Sequence, residues 1–227
     1  MNSSPAIVLG SRSPRRLALL RQVTGDIPIE ICPPLDSEEP GFEGLSTDNE
    51  LEQRLLKIVA MKFNDVTAQV EQRTDLSDPA ILVADTIVIA KDKSDHSVVL
   101  GQPDPDRWRH QVFDWMSELL SGTTHSVWTG LMVSRAGQTW SHIVRTEVSF
   151  VPLNDELIRW YISTGESPGK AGGYAIQGHA QAFVCGISGS LTSVIGLPVL
   201  EVVQALQSVN IRIPATIAGN HDGAGNA

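Results

Sequence analysis

Cysteine is scarce in this sequence, and the two cysteines lie far apart. Cys32 and Cys185 are the two among 227 residues, and neither they nor the six histidines follow a metal-ligand spacing. This argues against a disulfide framework and against a zinc site. A reducing compartment, the cytoplasm, is therefore the expected location.

Basic residues and long apolar runs are scarce as well. Lys and Arg number 17 against 26 Asp and Glu, which gives a net charge of −9 and argues against nonspecific binding to nucleic acid or to an anionic membrane. No run approaches the roughly 18 apolar residues of a membrane-spanning helix, and the first residues lack the basic and then apolar pattern of an export signal. We therefore expect neither nucleic acid nor membrane as a partner.

Strand-like and helix-like segments alternate along the chain. Residues 81–90 form a buried-type strand run that Asp85 and Thr86 interrupt, and residues 124–134 and 138–150 predict a long hairpin. Apolar residues at helical spacing predict the helices, of which the segment from Glu50 to Val70 is the longest. The alternation predicts an α/β fold in which the hairpin makes the sheet mixed.

The length suits one domain, whole or split into two lobes. We assign this domain to residues 1–210 and interpret residues 211–227, which end in GNHDGAGNA, as a disordered tail.

Three arginines stand at the start of a predicted helix. The stretch GSRSPRRLALL, residues 10–20, places Ser13 as the N-cap before Pro14, so that the arginines fall at the first turn. A helix N-terminus and guanidinium groups together bind phosphate oxygens well. Taken alone, the stretch fits a capped surface helix with solvated arginines equally well.

Asp85 places a carboxylate inside a run that would otherwise be buried. Such an acid can hold a divalent cation or activate water for attack on a phosphorus atom. The alternative is a strand-end acid paired with a loop amide. The cost of burying a charge favours the functional interpretation.

A glycine-rich segment, GESPGKAGGYAIQG at residues 165–178, carries one cation and one amide. It is not a P-loop, because the glycine spacing is one residue short, no Ser or Thr follows the lysine, and a helix precedes it. The later GISGS likewise fails the pattern of a serine hydrolase. What remains is Lys170 together with Gln177, whose amide can both donate to and accept from a nucleobase edge. Taken alone, an ordinary long turn is the simpler interpretation.

Five stretches in this order resemble the Maf family of nucleoside triphosphate pyrophosphatases: SRSPRRLALL, ILVADTIVIA, LSGTTHSVWTG, KAGGYAIQG and VIGLPV. The similarity runs from residue 6 to residue 206. It implies a mixed-sheet α/β fold with a cleft between two lobes, a homodimer, and hydrolysis of a nucleoside triphosphate to the monophosphate and pyrophosphate with a divalent cation, Mg²⁺ or Mn²⁺. The Ala-Asp-Thr and Ile-Gln-Gly elements look like the branch that acts on dTTP and UTP.

The resemblance also implies roles for individual residues. These are Asp85 as proton acceptor and metal ligand; Arg15, Thr86 and Gln177 at the specificity positions; Ser11, Arg16 and Lys170 at the phosphates; and Lys62 as the family's helix lysine.

Two positions depart from the family pattern. Gln102 stands between Gly101 and Pro103 where the family usually has lysine, so one phosphate-directed charge is missing. The acidic loop DSEE is spaced differently, so Glu38 and Glu39 are both candidate metal ligands, and we favour Glu38. Two alternatives therefore stay open: a nucleotide-binding regulatory protein with weak or lost catalysis, and a pyrophosphatase for another, non-canonical nucleotide.

Overall fold

The computed structural model describes residues 7–35 and 39–214, which form a seven-stranded mixed sheet with helices on both faces. The strands are β1 (Ile7–Leu9), β2 (Ile29–Ile31), β3 (Ala80–Lys91), β4 (Ser97–Leu100), β5 (Thr124–Arg135), β6 (Gln138–Phe150) and β7 (Val184–Ser188). The α-helices are α1 (Pro14–Thr24), α2 (Asp48–Glu71), α3 (Trp108–Trp115), α4 (Asp155–Ser163), α5 (Leu191–Ile195) and α6 (Val199–Ser208). A π-helical turn (Met116–Leu120) extends α3, and 3₁₀ turns occur at Ala171–Gly173 and His179–Phe183. The predicted mixed α/β fold and its long hairpin, β5–β6, are confirmed.

The central strand, β3, has two different neighbours along one edge. The sheet order is β2-β1-β3-β5-β6-β7, and β4 also pairs with β3. On the edge opposite β5, the parallel strand β1 covers residues 80–82 of β3, and the antiparallel strand β4 covers residues 88–91. Asp85 and Thr86 lie between these two stretches, and within the described part of the chain they have a strand neighbour on the β5 side alone. A cleft opens at this gap.

The predicted interruption of this strand at Asp85 and Thr86 is wrong. The strand is continuous, and the two residues pair with Gly130 and Thr129 of β5. The polar pair marks instead the point at which the neighbours β1 and β4 both end. A pattern along one strand cannot reveal this, because the ends of the neighbouring strands depend on pairing.

Alternate residues of β3 face different layers of the fold, as strand geometry requires. Ile81, Val83, Ile87 and Ile89 pack in a cluster with α2. The opposite face carries two clusters, one formed with α1 and α6 and the other with α3 and α4. Asp85 consequently shares the face of α2, and Thr86 lies on the opposite face, between the two clusters.

The packed part of the chain continues past the predicted boundary at residue 210. Ile211 and Ile213 are buried in the cluster of α1 and α6, so the domain includes at least these residues. Residues 215–227 lie outside the described part of the chain. Among the described residues, no helix combines the length and hydrophobicity that a bilayer crossing needs.

The β5–β6 turn contains an alanine in a conformation that disfavours it. Ala136 has φ of 50° and Gly137 has φ of 76°, the left-handed region in which a Cβ is strained. Asn tolerates this conformation and is common in such two-residue hairpin turns. We expect Ala136→Asn to raise the free energy of unfolding by about 0.5–1 kcal/mol, measured by urea denaturation. Gly137→Ala is the matched control and should lower it; a loss of stability in Ala136→Asn would contradict the assignment.

Candidate active site

A cavity of about 520 Å³ opens at the gap along β3. All of the predicted site residues that the structure describes line it: Ser11, Arg15, Arg16, Lys62, Asp85, Thr86, Lys170 and Gln177. Gln102 and Glu39 line it as well. The structure thus brings together residues that are up to 166 positions apart in the sequence, from Ser11 to Gln177.

The N-terminus of α1 forms one wall of this cavity. Ser13 is the N-cap, its hydroxyl accepts from the N–H of Arg16, and Pro14 occupies the first helical position. This confirms the predicted helix start. The hydroxyl of Ser11 accepts from the Ser13 N–H at 3.1 Å. This hydrogen bond within the short loop between β1 and α1 stabilises the conformation of the loop.

Arg16 is fixed at this wall by three hydrogen bonds. Its Nε donates to the carbonyl of Gly196 at 2.8 Å, one terminal nitrogen donates to Ser11 Oγ at 3.3 Å, and the other donates to Thr86 Oγ1 at 3.3 Å. Each terminal nitrogen carries a second N–H group. The guanidinium is therefore held in one orientation and can still donate to an anion.

The cavity concentrates positive charge that is partly withdrawn from water. Burial lowers the pKa of Arg15, of Arg16 and of Lys170, and the charge of Arg15 lowers the pKa of Lys170 further. Such shifts mean that the surroundings disfavour the charged forms. A bound anion would oppose this effect, so the arrangement suits a polyanionic ligand.

Asp85 and Lys62 form the opposite wall. Lys62 Nζ lies 2.5 Å from Asp85 Oδ1 and 2.8 Å from Glu39 Oε1. Lys62 shares a face of α2 with Leu55 and Val59, as the helical repeat places residues three to four apart.

Gly130 allows α2 to approach the sheet at this point. A Cβ on Gly130 would lie 2.9 Å from a methyl group of Val59 and 3.3 Å from Leu55. Gly130 is the β5 partner of Asp85. A glycine beside the carboxylate thus brings the helix that carries Lys62 close to the strand.

The two carboxylates fit the binding of a hard divalent cation. Asp85 and Glu39 already converge on one positive group, the Lys62 ammonium, and carboxylate oxygens suit Mg²⁺ and Mn²⁺. Over residues 7–35 and 39–214 there is no group of three or more His, Cys, Asp or Glu side chains able to hold a metal ion. A cation here would take one or two carboxylates and complete its shell with phosphate oxygens and water, as Mg²⁺ commonly does. Glu38, the favoured acidic-loop ligand, lies outside the described residues.

The glycine-rich segment forms the third wall and is held from beneath. Gly172 and Gly173 have φ of 70° and 68°, and a Cβ would lie 2.9 Å from Val88 at the first and 2.7 Å from Val112 at the second. The Ala175 N–H donates to the Tyr161 hydroxyl at 3.0 Å. The segment is therefore tightly packed against the protein at Gly172 and Gly173, and it presents the exposed side chain of Gln177 at the cavity.

Lys170 is engaged within this segment. Its ammonium donates to the carbonyl oxygens of Glu166 and Pro168. The segment follows α4 and contains the 3₁₀ turn Ala171–Gly173. The preceding helix agrees with the rejection of a P-loop, in which a strand comes before the loop.

A buried histidine supports the same segment. His125 is 2 % exposed, and its Nε2 lies 2.8 Å from the Tyr174 hydroxyl. Burial lowers the pKa of His125 to about 4, so the folded protein holds a neutral imidazole.

This burial predicts a loss of stability in acid. Between about pH 6.5 and pH 4 the unfolded chain binds a proton at His125 that the folded chain does not. The free energy of unfolding therefore decreases by up to about 3 kcal/mol as the pH is lowered through this range. His125→Gln removes the titrating group, and we expect its unfolding free energy to fall less from pH 7 to pH 4.5 in urea denaturation. The exposed His110→Gln is the control and should behave as wild type. Equal pH dependence in all three proteins would contradict the prediction.

Several residues at the site were not predicted from the sequence. Thr129 contacts Thr86 and donates to the carbonyl of Ser193, and the carbonyl of Gly196 accepts from Arg16. The short helix α5 was also not predicted from the sequence. Thr129 carries no charge and lies in an apolar strand run. Its position beside Thr86 depends on the register of β3 and β5, which no local pattern reveals.

Comparisons of the sequence with known proteins bear on the family. The family model described as "Maf-like protein" matches residues 6–209. A dTTP/UTP pyrophosphatase of Ruegeria sp. (strain TM1040) is 36% identical over 203 residues, covering 89% of this chain and 94% of that protein. A dTTP/UTP pyrophosphatase of Anaeromyxobacter dehalogenans (strain 2CP-C) is 35% identical over 216 residues, covering 93% and 97%. A nucleoside triphosphate pyrophosphatase of Haemophilus ducreyi is 35% identical over 207 residues, covering 91% and 96%.

Proposed function

This chain belongs to the Maf family, and we propose that it is a nucleoside triphosphate pyrophosphatase whose substrates are dTTP and UTP. Its products are the nucleoside monophosphate and pyrophosphate. One observation carries the proposal: partly buried cations and the Asp85 carboxylate line the same cavity.

The cationic wall suits the triphosphate. Arg15, Arg16 and the N-terminus of α1 present N–H donors and positive charge on one side. These groups neutralise the phosphates and stabilise the charge that develops on the leaving pyrophosphate, which accounts for most of the catalysis in phosphoryl transfer. Ser11 holds Arg16 in the orientation that this requires.

The carboxylate wall suits activation of water. Asp85 is the catalytic residue: it accepts a proton from the attacking water, whose oxygen forms a bond to the α-phosphorus while the bond from that phosphorus to the pyrophosphate oxygen breaks. Lys62 orients the accepting carboxylate through its 2.5 Å contact. The electron pair of the broken bond leaves with pyrophosphate, and the arginines neutralise the negative charge that pyrophosphate gains.

A divalent cation, Mg²⁺ or Mn²⁺, belongs with this chemistry. Asp85 and an acidic-loop glutamate would hold it, and Glu39 is the glutamate with a contact in the described structure. When bound, it supplies neutralisation of phosphate charge and polarisation of the P–O bonds.

Base recognition is expected at the glycine-rich wall. Gln177 is exposed at the cavity, and its amide can match a nucleobase edge that offers both an acceptor and a donor. The names of the relatives, dTTP/UTP pyrophosphatases, support a thymine or uracil base, whose O4 and N3–H form such an edge.

Removal of this amide tests the base assignment. We expect Gln177→Ala to lower kcat/KM for UTP by about tenfold to a hundredfold and to lower kcat/KM for GTP much less, because a lost hydrogen bond to the base removes discrimination. The matched control is Gln207→Ala, an exposed glutamine on α6. Pyrophosphate release is measured for dTTP, UTP, CTP and GTP; an unchanged preference in Gln177→Ala would overturn this assignment.

A further inference from the structure

Thr129 is a fully buried threonine behind the cavity, and its hydroxyl is part of the support of Arg16. It is 0% exposed and pairs with Thr86 in the register of β5 and β3. Its Oγ1 lies 2.9 Å from Thr86 Oγ1 and donates to the carbonyl of Ser193 at 2.9 Å.

The direction of these hydrogen bonds follows from counting protons. A threonine hydroxyl has one hydrogen, and that of Thr129 is used on Ser193. Thr129 must therefore accept from Thr86, so the single hydrogen of Thr86 is also used. The Thr86 oxygen is then presented to Arg16, which donates to it at 3.3 Å.

A second path leads from Thr129 back to the same arginine. The Ser193 carbonyl also accepts from the Gly196 N–H at 2.9 Å, and the Gly196 carbonyl accepts from Arg16 Nε at 2.8 Å. Gly196 has φ of 123°, a conformation that glycine adopts without strain. The two paths close a ring of hydrogen bonds, in which Arg16, Thr86 and Gly196 line the cavity and Thr129 does not.

We propose that Thr129 is a positioning residue that holds Arg16 for the phosphates, and that the Thr86 hydroxyl serves this ring rather than recognition of the base. The inference rests on the proposed function for the identity of the anion. It assigns Thr86 differently from the family resemblance: the Thr86 hydrogen is used on Thr129 and one of its two lone pairs on Arg16, so this hydroxyl cannot donate to a base.

The ring explains why a hydroxyl is needed at residue 129. Valine has nearly the same shape but neither donates nor accepts, so Thr129→Val leaves the Thr86 hydrogen without its acceptor and frees that hydroxyl to rotate away from Arg16. Serine keeps the hydroxyl and is expected to restore the ring. Thr146→Val is the matched control, since Thr146 is 0% exposed on β6 and donates to the carbonyl of Ser190, with no described contact to Arg16.

The test uses inorganic pyrophosphate and uridine as separate calorimetric probes of the full chain. We expect Thr129→Val to weaken pyrophosphate binding by about tenfold, because a contact to a charged group loses its alignment, and to leave uridine binding unchanged. Thr129→Ser and Thr146→Val should both bind pyrophosphate as wild type does. Weaker uridine binding with unchanged pyrophosphate binding would overturn the inference, and so would an equal loss in Thr146→Val.

A double-mutant cycle separates positioning from general damage. If Thr129 acts through Arg16, Thr129→Val has no further effect on pyrophosphate binding in an Arg16→Lys background; additive losses would overturn the inference. If Thr129→Val fails to fold, Thr86→Val against Thr86→Ser tests the same ring with the same two probes. These binding measurements do not depend on turnover. A protein that fails to hydrolyse dTTP and UTP would refute the proposed function, and pyrophosphate binding by the Thr129 variants would still test the inference about Thr129.

Discussion

Asp85→Asn is expected to reduce kcat for UTP by about a thousandfold, because the amide cannot accept the proton of the attacking water. The amide oxygen can still accept from Lys62, which lies 2.5 Å from the carboxylate, so the wall keeps its shape. We expect the dissociation constant for UTP, measured by calorimetry, to change by less than about tenfold. The loss is therefore one of turnover rather than of binding, which single-turnover kinetics resolve.

The control for this change is Asp114→Asn. Asp114 is exposed on α3, outside the lining of the cavity, and receives the same chemical change. Its kcat should match wild type. Retention of more than about a tenth of the wild-type kcat in Asp85→Asn would contradict the role of Asp85, because a general base contributes at least about a hundredfold.

Arg16→Lys is expected to have the second largest effect, a loss of about a hundredfold in kcat/KM for UTP. Lysine keeps the charge but cannot make the forked contacts of a guanidinium, which here joins Gly196, Ser11 and Thr86. A mobile ammonium therefore stabilises the developing phosphate charge less well than a fixed guanidinium does.

Arg21→Lys provides the comparison on the same helix. Arg21 lies in the last turn of α1 and is exposed, so the same substitution there removes no contact with the cavity. We expect its kcat/KM to match wild type and its thermal midpoint to match that of Arg16→Lys within a few degrees. Equal activity in the two variants would contradict the role of the Arg16 guanidinium in catalysis.

Much of the fold could be predicted because its signals are local. The start of α1 follows from Ser13 and Pro14, and the β5–β6 hairpin from two strand patterns around Ala136 and Gly137. The ends of β1 and β4 along β3 depend on pairing between distant segments. For that reason the continuity of β3 through Asp85 was missed.

The site could be predicted where residues are unusual for their position. A carboxylate inside an apolar strand and arginines at a helix start both stand out, and the structure places Asp85 and Arg16 in one cavity. Thr129 does not stand out, since threonine is ordinary in a strand. The identity of the cation, the homodimer and the role of Glu38 remain predictions.

Pyrophosphate release from dTTP, UTP, CTP, GTP and 7-methyl-GTP, measured with Mg²⁺ and with Mn²⁺, is the direct test of the proposed function. We expect release from dTTP and UTP in preference to the others, and loss of that release in Asp85→Asn. Folded protein that binds UTP but releases no pyrophosphate from any of the five would contradict it and would favour a nucleotide-binding regulatory protein, in which Gln102 marks the lost charge.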